Sequence, residues 1–150
     1  MQNNLIAKFD LAVLGFIKKY NRLFARLALF IVYFWFGILK IFTISPADPL
    51  VQSLLEKTLP FISFHNFLIL FALFEMLIGV LFLIRGAERL AVALLAIHLT
   101  TTFLPLILLP QITWQNWFVP TLEGQYIIKN VLIIALAFVI VSQKDFLNVQ

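Results

Sequence analysis

Four long apolar runs set the pattern of this chain: about Leu23 to Ile44, Phe64 to Ile84, Leu90 to Leu109 and Tyr126 to Val141. Each is close to the ~20 residues that a helix needs to cross about 30 Å of hydrocarbon, the fourth being the shortest. The pattern predicts an all-α membrane protein built as a four-transmembrane-helix bundle. Ahead of the first run, Asn4, Lys8, Lys18, Lys19 and Arg22 recur near helical spacing against Leu5, Ile6, Phe9, Val13, Phe16 and Ile17. This predicts an N-terminal amphipathic helix over residues 1–22 that lies in the cytoplasmic interface as an anchor, with residues 23–150 forming the transmembrane domain. Its charges interrupt any apolar core and no small-residue cleavage site follows, so it is not read as a signal peptide.

The connections carry their own signals. After Ile44, Ser45 is placed to cap a helix, Pro46 to take its first position and Asp48 to favour its first-turn dipole. Leu50, Val51, Leu54, Leu55 and Leu59 follow at helical spacing, which predicts a short extracytoplasmic helix ending before Pro60. Between Pro110 and Gly124 the chain is polar and aromatic, with Pro120 and Gly124 as breakers, whereas the inner connection at Arg85-Gly86-Ala87-Glu88 is tight. Tyr20 near the inner boundary, and Trp114, Trp117 and Tyr126 near the outer one, suit an aromatic belt. Trp35 lies too deep for that role and is assigned to packing.

Composition confirms the class: 63% of the 150 residues are hydrophobic and 12% charged, against about 45–50% apolar and 25% charged in soluble domains. Cysteine is absent, which excludes disulfides, thiolate nucleophiles, CxxC redox pairs and Cys-ligated metals. Any redox chemistry would be carried by another molecule. The net charge of +4 does not point to nucleic acid, because its distribution follows topology. Lys8, Lys18, Lys19, Arg22 and Arg26 gather at the start of the first span, Arg85 and Arg89 between the second and third, and Lys144 after the fourth, while the opposite loops hold Lys57 alone. This positive-inside asymmetry places both termini in the cytoplasm.

Deep within the runs lie the ionisable residues Lys40, Glu75, His98 and Lys129, where a charge costs roughly 2.5–3.5 kcal/mol on insertion scales. At 1.5 Å per residue, Glu75 and His98 both fall roughly 16 Å beneath the outer boundary, and Lys40 and Lys129 share a shallower outer level. Helical spacing groups Tyr33, Gly37 and Lys40; Phe71, Glu75 and Gly79; His98, Thr101, Thr102 and Pro105; and Tyr126, Lys129 and Asn130. Converging, these faces make a polar column open to the outer surface, a ligand-binding pocket of Lys40, Glu75, His98, Glu123, Tyr126, Lys129 and Asn130. Plainer readings stand beside it. Each lysine can snorkel, His98 can be a hydrogen-bonded bundle residue, the glycines can mark close packing, and the charges together can fix helix register. One intramembrane carboxylate gives no acid–base pair and one midplane His no metal cluster, so catalysis is not indicated. Glu75 and His98 could exchange a proton if they face one another.

Several segments carry a resemblance: Phe36-Gly37-Ile38-Leu39-Lys40, Ser45-Pro46-Ala47, Glu75-Met76-Leu77-Ile78-Gly79, and the longer Pro120-Thr121-Leu122-Glu123-Gly124-Gln125-Tyr126-Ile127-Ile128-Lys129-Asn130. Over about Arg26 to Val141 the chain resembles the DoxX-like superfamily of small four-helix bacterial inner-membrane proteins, and within it the YkgB-type branch that includes reactive-chlorine resistance components. The resemblance implies a bacterial inner-membrane setting. Its relatives include a small subunit of a thiosulfate:quinone oxidoreductase and membrane partners in oxidative-stress systems, and distant ones assist receptor assembly. A quinone-linked role, of the kind those relatives have, would suit the pocket, with Lys40, Tyr126, Lys129 and Asn130 as hydrogen-bond donors to the carbonyl oxygens. Two expectations follow: an accessory component of redox or oxidant-stress metabolism that binds a quinone-like or small apolar ligand, or a scaffold or assembly factor for a membrane or redox protein partner. A small oligomeric transporter is a third.

Overall fold

The computed structural model describes residues 2–147, with side chains described from residue 6 to residue 142. The side chains of Asn4, Leu5 and Lys144, counted above, lie outside that range. The described order is α1 (Gln2–Ile41), α2 (Asp48–Thr58), α3 (Phe64–Leu83), α4 (Glu88–Phe103), α5 (Pro105–Leu108), α6 (Pro110–Thr113), β1 (Trp114–Asn116), β2 (Val119–Pro120) and α7 (Leu122–Leu147). Helical stretches Ile6–Ile41, Phe64–Leu83, Glu88–Leu108 and Leu122–Ser142 are long and apolar enough to cross a membrane, as a multi-pass membrane protein requires.

The expected interfacial segment and first span form one unbroken helix of 40 residues, about 60 Å long and so about twice the hydrocarbon thickness. Residues 6–19 are exposed throughout, and burial starts at Ala25, Leu29 and Tyr33. The helix stops at Ile41, three residues before the hydrophobic run does, because the chain reverses. Thr43 takes a left-handed φ of 53°, its N–H bonds to the Lys40 carbonyl at 3.0 Å, and the Ile44 N–H bonds to that of Leu39 at 3.0 Å. This is a Schellman closure in which Thr stands where Gly is preferred.

α1 packs along α3 through two glycines. A Cβ at Gly37 would stand 2.8 Å from the Ala72 carbonyl oxygen, and one at Gly79 would stand 3.1 Å from the Phe34 nitrogen. The core closes over this contact with Leu29, Tyr33, Ile78, Phe82, Leu95, Leu99, Ala137 and Ile140. Trp35, expected in the packing, is instead 62% exposed on the outside of the bundle, because the α1 face that meets α3 carries Tyr33 and Gly37.

The end of the bundle at the α1 C-terminus is shaped by prolines. α2 begins at Asp48 with Pro49 in its first turn, later than Ser45 and Pro46 suggested. The Ser45 hydroxyl accepts the N–H of Ala47 at 3.3 Å, closing a local turn instead of capping the helix. Pro105 ends α4, and Pro110 has no N–H to offer the Leu106 carbonyl. The Trp114 indole supplies that bond at 2.9 Å, so Trp114 is tied to the protein and does not simply float in a belt. Lys57 donates to the Leu108 carbonyl at 2.6 Å and pins α2 to α5. The expected irregular loop contains a small antiparallel pairing of β1 with β2. α7 then starts against α6: the Thr121 N–H donates to the Thr113 carbonyl at 3.0 Å, and the Thr121 hydroxyl accepts from Gly124 N–H at 3.2 Å. Gly124 is required here, since a Cβ would collide with the Thr113 carbonyl oxygen.

Candidate functional site

Lys40 sits one residue before the end of α1, Glu75 just past the middle of α3 and His98 late in α4. The three side chains meet. The Lys40 Nζ lies 2.6 Å from Glu75 Oε2 and the His98 Nε2 lies 3.0 Å from Glu75 Oε1, with all three residues 4–5% exposed. Both carboxylate oxygens are thus engaged, one by an ammonium and one by an imidazole, which is the condition for holding a charge at such depth. The Thr101 and Thr102 hydroxyls donate to the His98 carbonyl at 2.7 and 2.9 Å, in the turn where Pro105 interrupts the helix ladder.

Aromatic rings wall this group. Phe71 stacks on the His98 ring at 5.1 Å and Tyr33 meets it edge-on at 5.2 Å. The Lys40 ammonium also lies 5.6 Å from the Phe71 ring centre, a cation–π distance. The equal-depth count for Glu75 and His98 agrees with their hydrogen bond. Lys40 reaches them because a lysine stem spans the remaining level.

The other four residues of the expected pocket lie elsewhere. Glu123, Tyr126 and Lys129 are exposed on α7 and Asn130 is half-buried there; the Lys129 ammonium rests 4.8 Å from the Tyr126 ring centre. No described hydrogen bond or ion pair joins them to the trio. Counting residues fixes how deep a side chain sits but leaves its direction around the helix axis open, and α7 turns this face outward.

A second charged group escaped the sequence reading. Arg26, assigned to the inner boundary, is 7% exposed, and Glu88, assigned to a tight turn, is 1% exposed. Arg26 Nη1 and Arg22 Nη2 lie 3.1 and 3.2 Å from Glu88 Oε1, and Arg26 Nε donates to the Phe82 carbonyl near the end of α3. Glu88 Oε2 accepts the Gly86 N–H at 2.8 Å. A signal was present: Arg26 falls inside the first apolar run. This group closes the end of the bundle opposite Lys40, and its guanidinium complements the α3 C-terminus.

Among the described residues, no group of three or more His, Cys, Asp or Glu side chains is arranged to hold a metal ion. An apolar cleft of about 230 Å³ opens between α4 and α7, lined chiefly by Val92, Leu95, Ala96, Leu99, Ile134 and Phe138. No family model matches the chain, and no curated protein or solved structure matches it.

Proposed function

We propose that the protein is a bacterial inner-membrane component with both termini in the cytoplasm, acting as a non-catalytic scaffold or accessory subunit in a redox or oxidant-stress system of the kind the DoxX-like resemblance implies. The observation that carries this reading is the Glu75 carboxylate, whose two oxygens are taken up by Lys40 and His98. Charges that satisfy one another fix the packing of α1, α3 and α4 and leave no free nucleophile or open coordination site in the trio. The broad apolar exterior, including Ile31, Trp35, Leu132 and Phe138, is then the surface offered to lipid and to a membrane partner. The basic residues at the Arg22–Arg26 end support the orientation.

Replacing one partner of the pair tests it. Lys40→Met or Glu75→Gln alone leaves a buried charge uncompensated, and thermal unfolding in detergent is expected to show a loss of about 3–5 kcal/mol. The double replacement should recover most of that loss. Normal stability of both single variants would remove the structural role.

The apolar cleft favours a second reading, in which a quinone-like or other small apolar molecule seats between α4 and α7. A short-chain benzoquinone should then protect the wild-type protein against thermal unfolding, and Ala96→Phe, which fills the cleft from its exposed side, should abolish the protection. Equal protection of both proteins would exclude the cleft.

A further inference from the structure

At the end of the bundle where Arg22 and Arg26 reach Glu88, α1 runs on. Residues 6–19 beyond that contact are exposed throughout, so about 20 Å of helix projects past the bundle as an arm. Its sequence divides it lengthwise. At about 100° per residue, Ile6, Phe9, Val13, Phe16, Ile17 and Tyr20 fall within one sector of about 100°, and Lys8, Lys18, Lys19 and Arg22 within another almost opposite. Leu11 and Leu14 fall outside the apolar sector. Ile6, Phe9, Phe16 and Ile17 are each more than half exposed. The Phe16 and Tyr20 rings lie 4.8 Å apart, and those of Tyr20 and Phe24 6.5 Å apart, which carries the apolar sector onto Phe24 and Ile31 on the outside of the span. The basic sector instead leads to the side that Arg22 and Arg26 turn toward Glu88.

These two sectors decide what covers the arm. Water would leave four large apolar side chains uncovered. A second copy packed in parallel along Ile6, Phe9, Val13, Phe16 and Tyr20 would set Ala12 against Ile17 and Lys19 against Phe24 at the flanks, pairs without complementary charge. A membrane surface satisfies both sectors. The apolar sector continues the lipid-facing side of the span, so an arm bent away from the bundle lays that sector on acyl chains. A helix about 10–12 Å across keeps the lysines within about one Debye length of the phosphates, and the stems of Lys8 and Lys19, at the edge of the basic sector, can bend toward them. Three lysines against Asp10 alone make the complementary surface a negative one.

We infer that residues 6–19 form an arm that folds outward onto the membrane beside the bundle and binds anionic phospholipid headgroups through Lys8, Lys18 and Lys19. α1 is continuous from Gln2 to Ile41, so this requires a bend between Lys19, the last fully exposed residue, and Ala25, where burial begins. The sequence pattern predicts an anchor. The continuity of the apolar sector with the outside of the span adds the direction of the bend, and the lysines add the class of lipid.

The chain contains no cysteine, so Val13→Cys and Leu11→Cys each carry a single spin label, one on the apolar and one on the basic side of the arm. The full chain is placed in nanodiscs of phosphatidylcholine, with or without phosphatidylglycerol, and depth is read from collisions with oxygen and with a water-soluble nickel chelate. Both faces of a disc carry the same lipid, so the result is independent of orientation and of the scaffold role. With phosphatidylglycerol, position 13 should be shielded from nickel and position 11 open to it. Lys8→Gln/Lys18→Gln/Lys19→Gln should lower the ratio of bound to free arm by up to about a hundredfold, at about fivefold per lysine, with helix content unchanged by circular dichroism. Nickel reaching position 13 as freely as position 11 overturns the inference, because the arm then stands in water. Equal shielding in both lipids, indifferent to the triple replacement, overturns the headgroup recognition. Dipolar broadening at position 13 that disappears on dilution with unlabelled protein overturns it in favour of a second copy.

Discussion

Gly37 and Gly79 are where single atoms decide how closely α1 and α3 approach. At Gly37 an added methyl would press on the Ala72 carbonyl 2.8 Å away and on Met76, whereas at Gly15 it would meet nothing within 4 Å. Gly37→Ala is therefore expected to destabilise the bundle by about 1–3 kcal/mol through overpacking. Gly15→Ala should be neutral, or stabilising by about 0.5–1 kcal/mol through helix propensity. Thermal unfolding of the two variants side by side checks the contrast, and equal effects would mean that contact at Gly37 is not limiting. These glycines were legible in the sequence because each shares a helical face with a charged residue. Gly124 was legible only as a breaker, since its clash partner, the Thr113 carbonyl, becomes a neighbour only after α6 turns back on α7.

At the scale of elements, the hydrophobic runs located the spans and the prolines displaced their ends. The run near Leu90–Leu109 reads as one helix, yet Pro105 and Pro110 divide its C-terminal portion, and side chains replace the missing backbone donors. Trp114 is the clearest case. Trp114→Phe keeps an aromatic ring, though a smaller one, but removes the indole N–H, leaving the Leu106 carbonyl without the donor that Pro110 cannot supply, and is expected to cost about 1–3 kcal/mol. Hydrogen exchange should show the loss confined to α5, α6 and the hairpin; an unchanged profile would mean that water or another group serves that carbonyl. The hairpin itself was not legible: its strands are too short to alternate, and Phe118, not Gly or Asn, takes the left-handed φ of 56°. α2 was legible as a helix but not in its first residue, because Ser45 bonds locally to Ala47 before the helix begins.

Across the whole molecule, two buried charged groups bracket an apolar core. Lys40–Glu75–His98 lies toward the α1 C-terminus, Arg22–Arg26–Glu88 lies toward the α3 C-terminus, and Leu29, Ile78, Phe82 and Leu95 fill the interval. Depth arithmetic paired Glu75 with His98 but set Lys40 a level shallower beside Lys129, so it gave the first group only in part. It missed the second because Glu88 reads as a turn residue until Arg26 reaches across from a neighbouring helix. Glu88→Gln should cost about 3–5 kcal/mol by leaving Arg26 buried without its counter-charge, and added salt should change this little because the pair is shielded from solvent. The described hydrogen bonds and ion pairs of the two groups have no residue in common, so combining Glu88→Gln with Glu75→Gln should give the sum of the single losses to within about 0.5 kcal/mol. A larger discrepancy, measured by unfolding of the four proteins in one detergent, would show that the core between them transmits strain from one end of the bundle to the other.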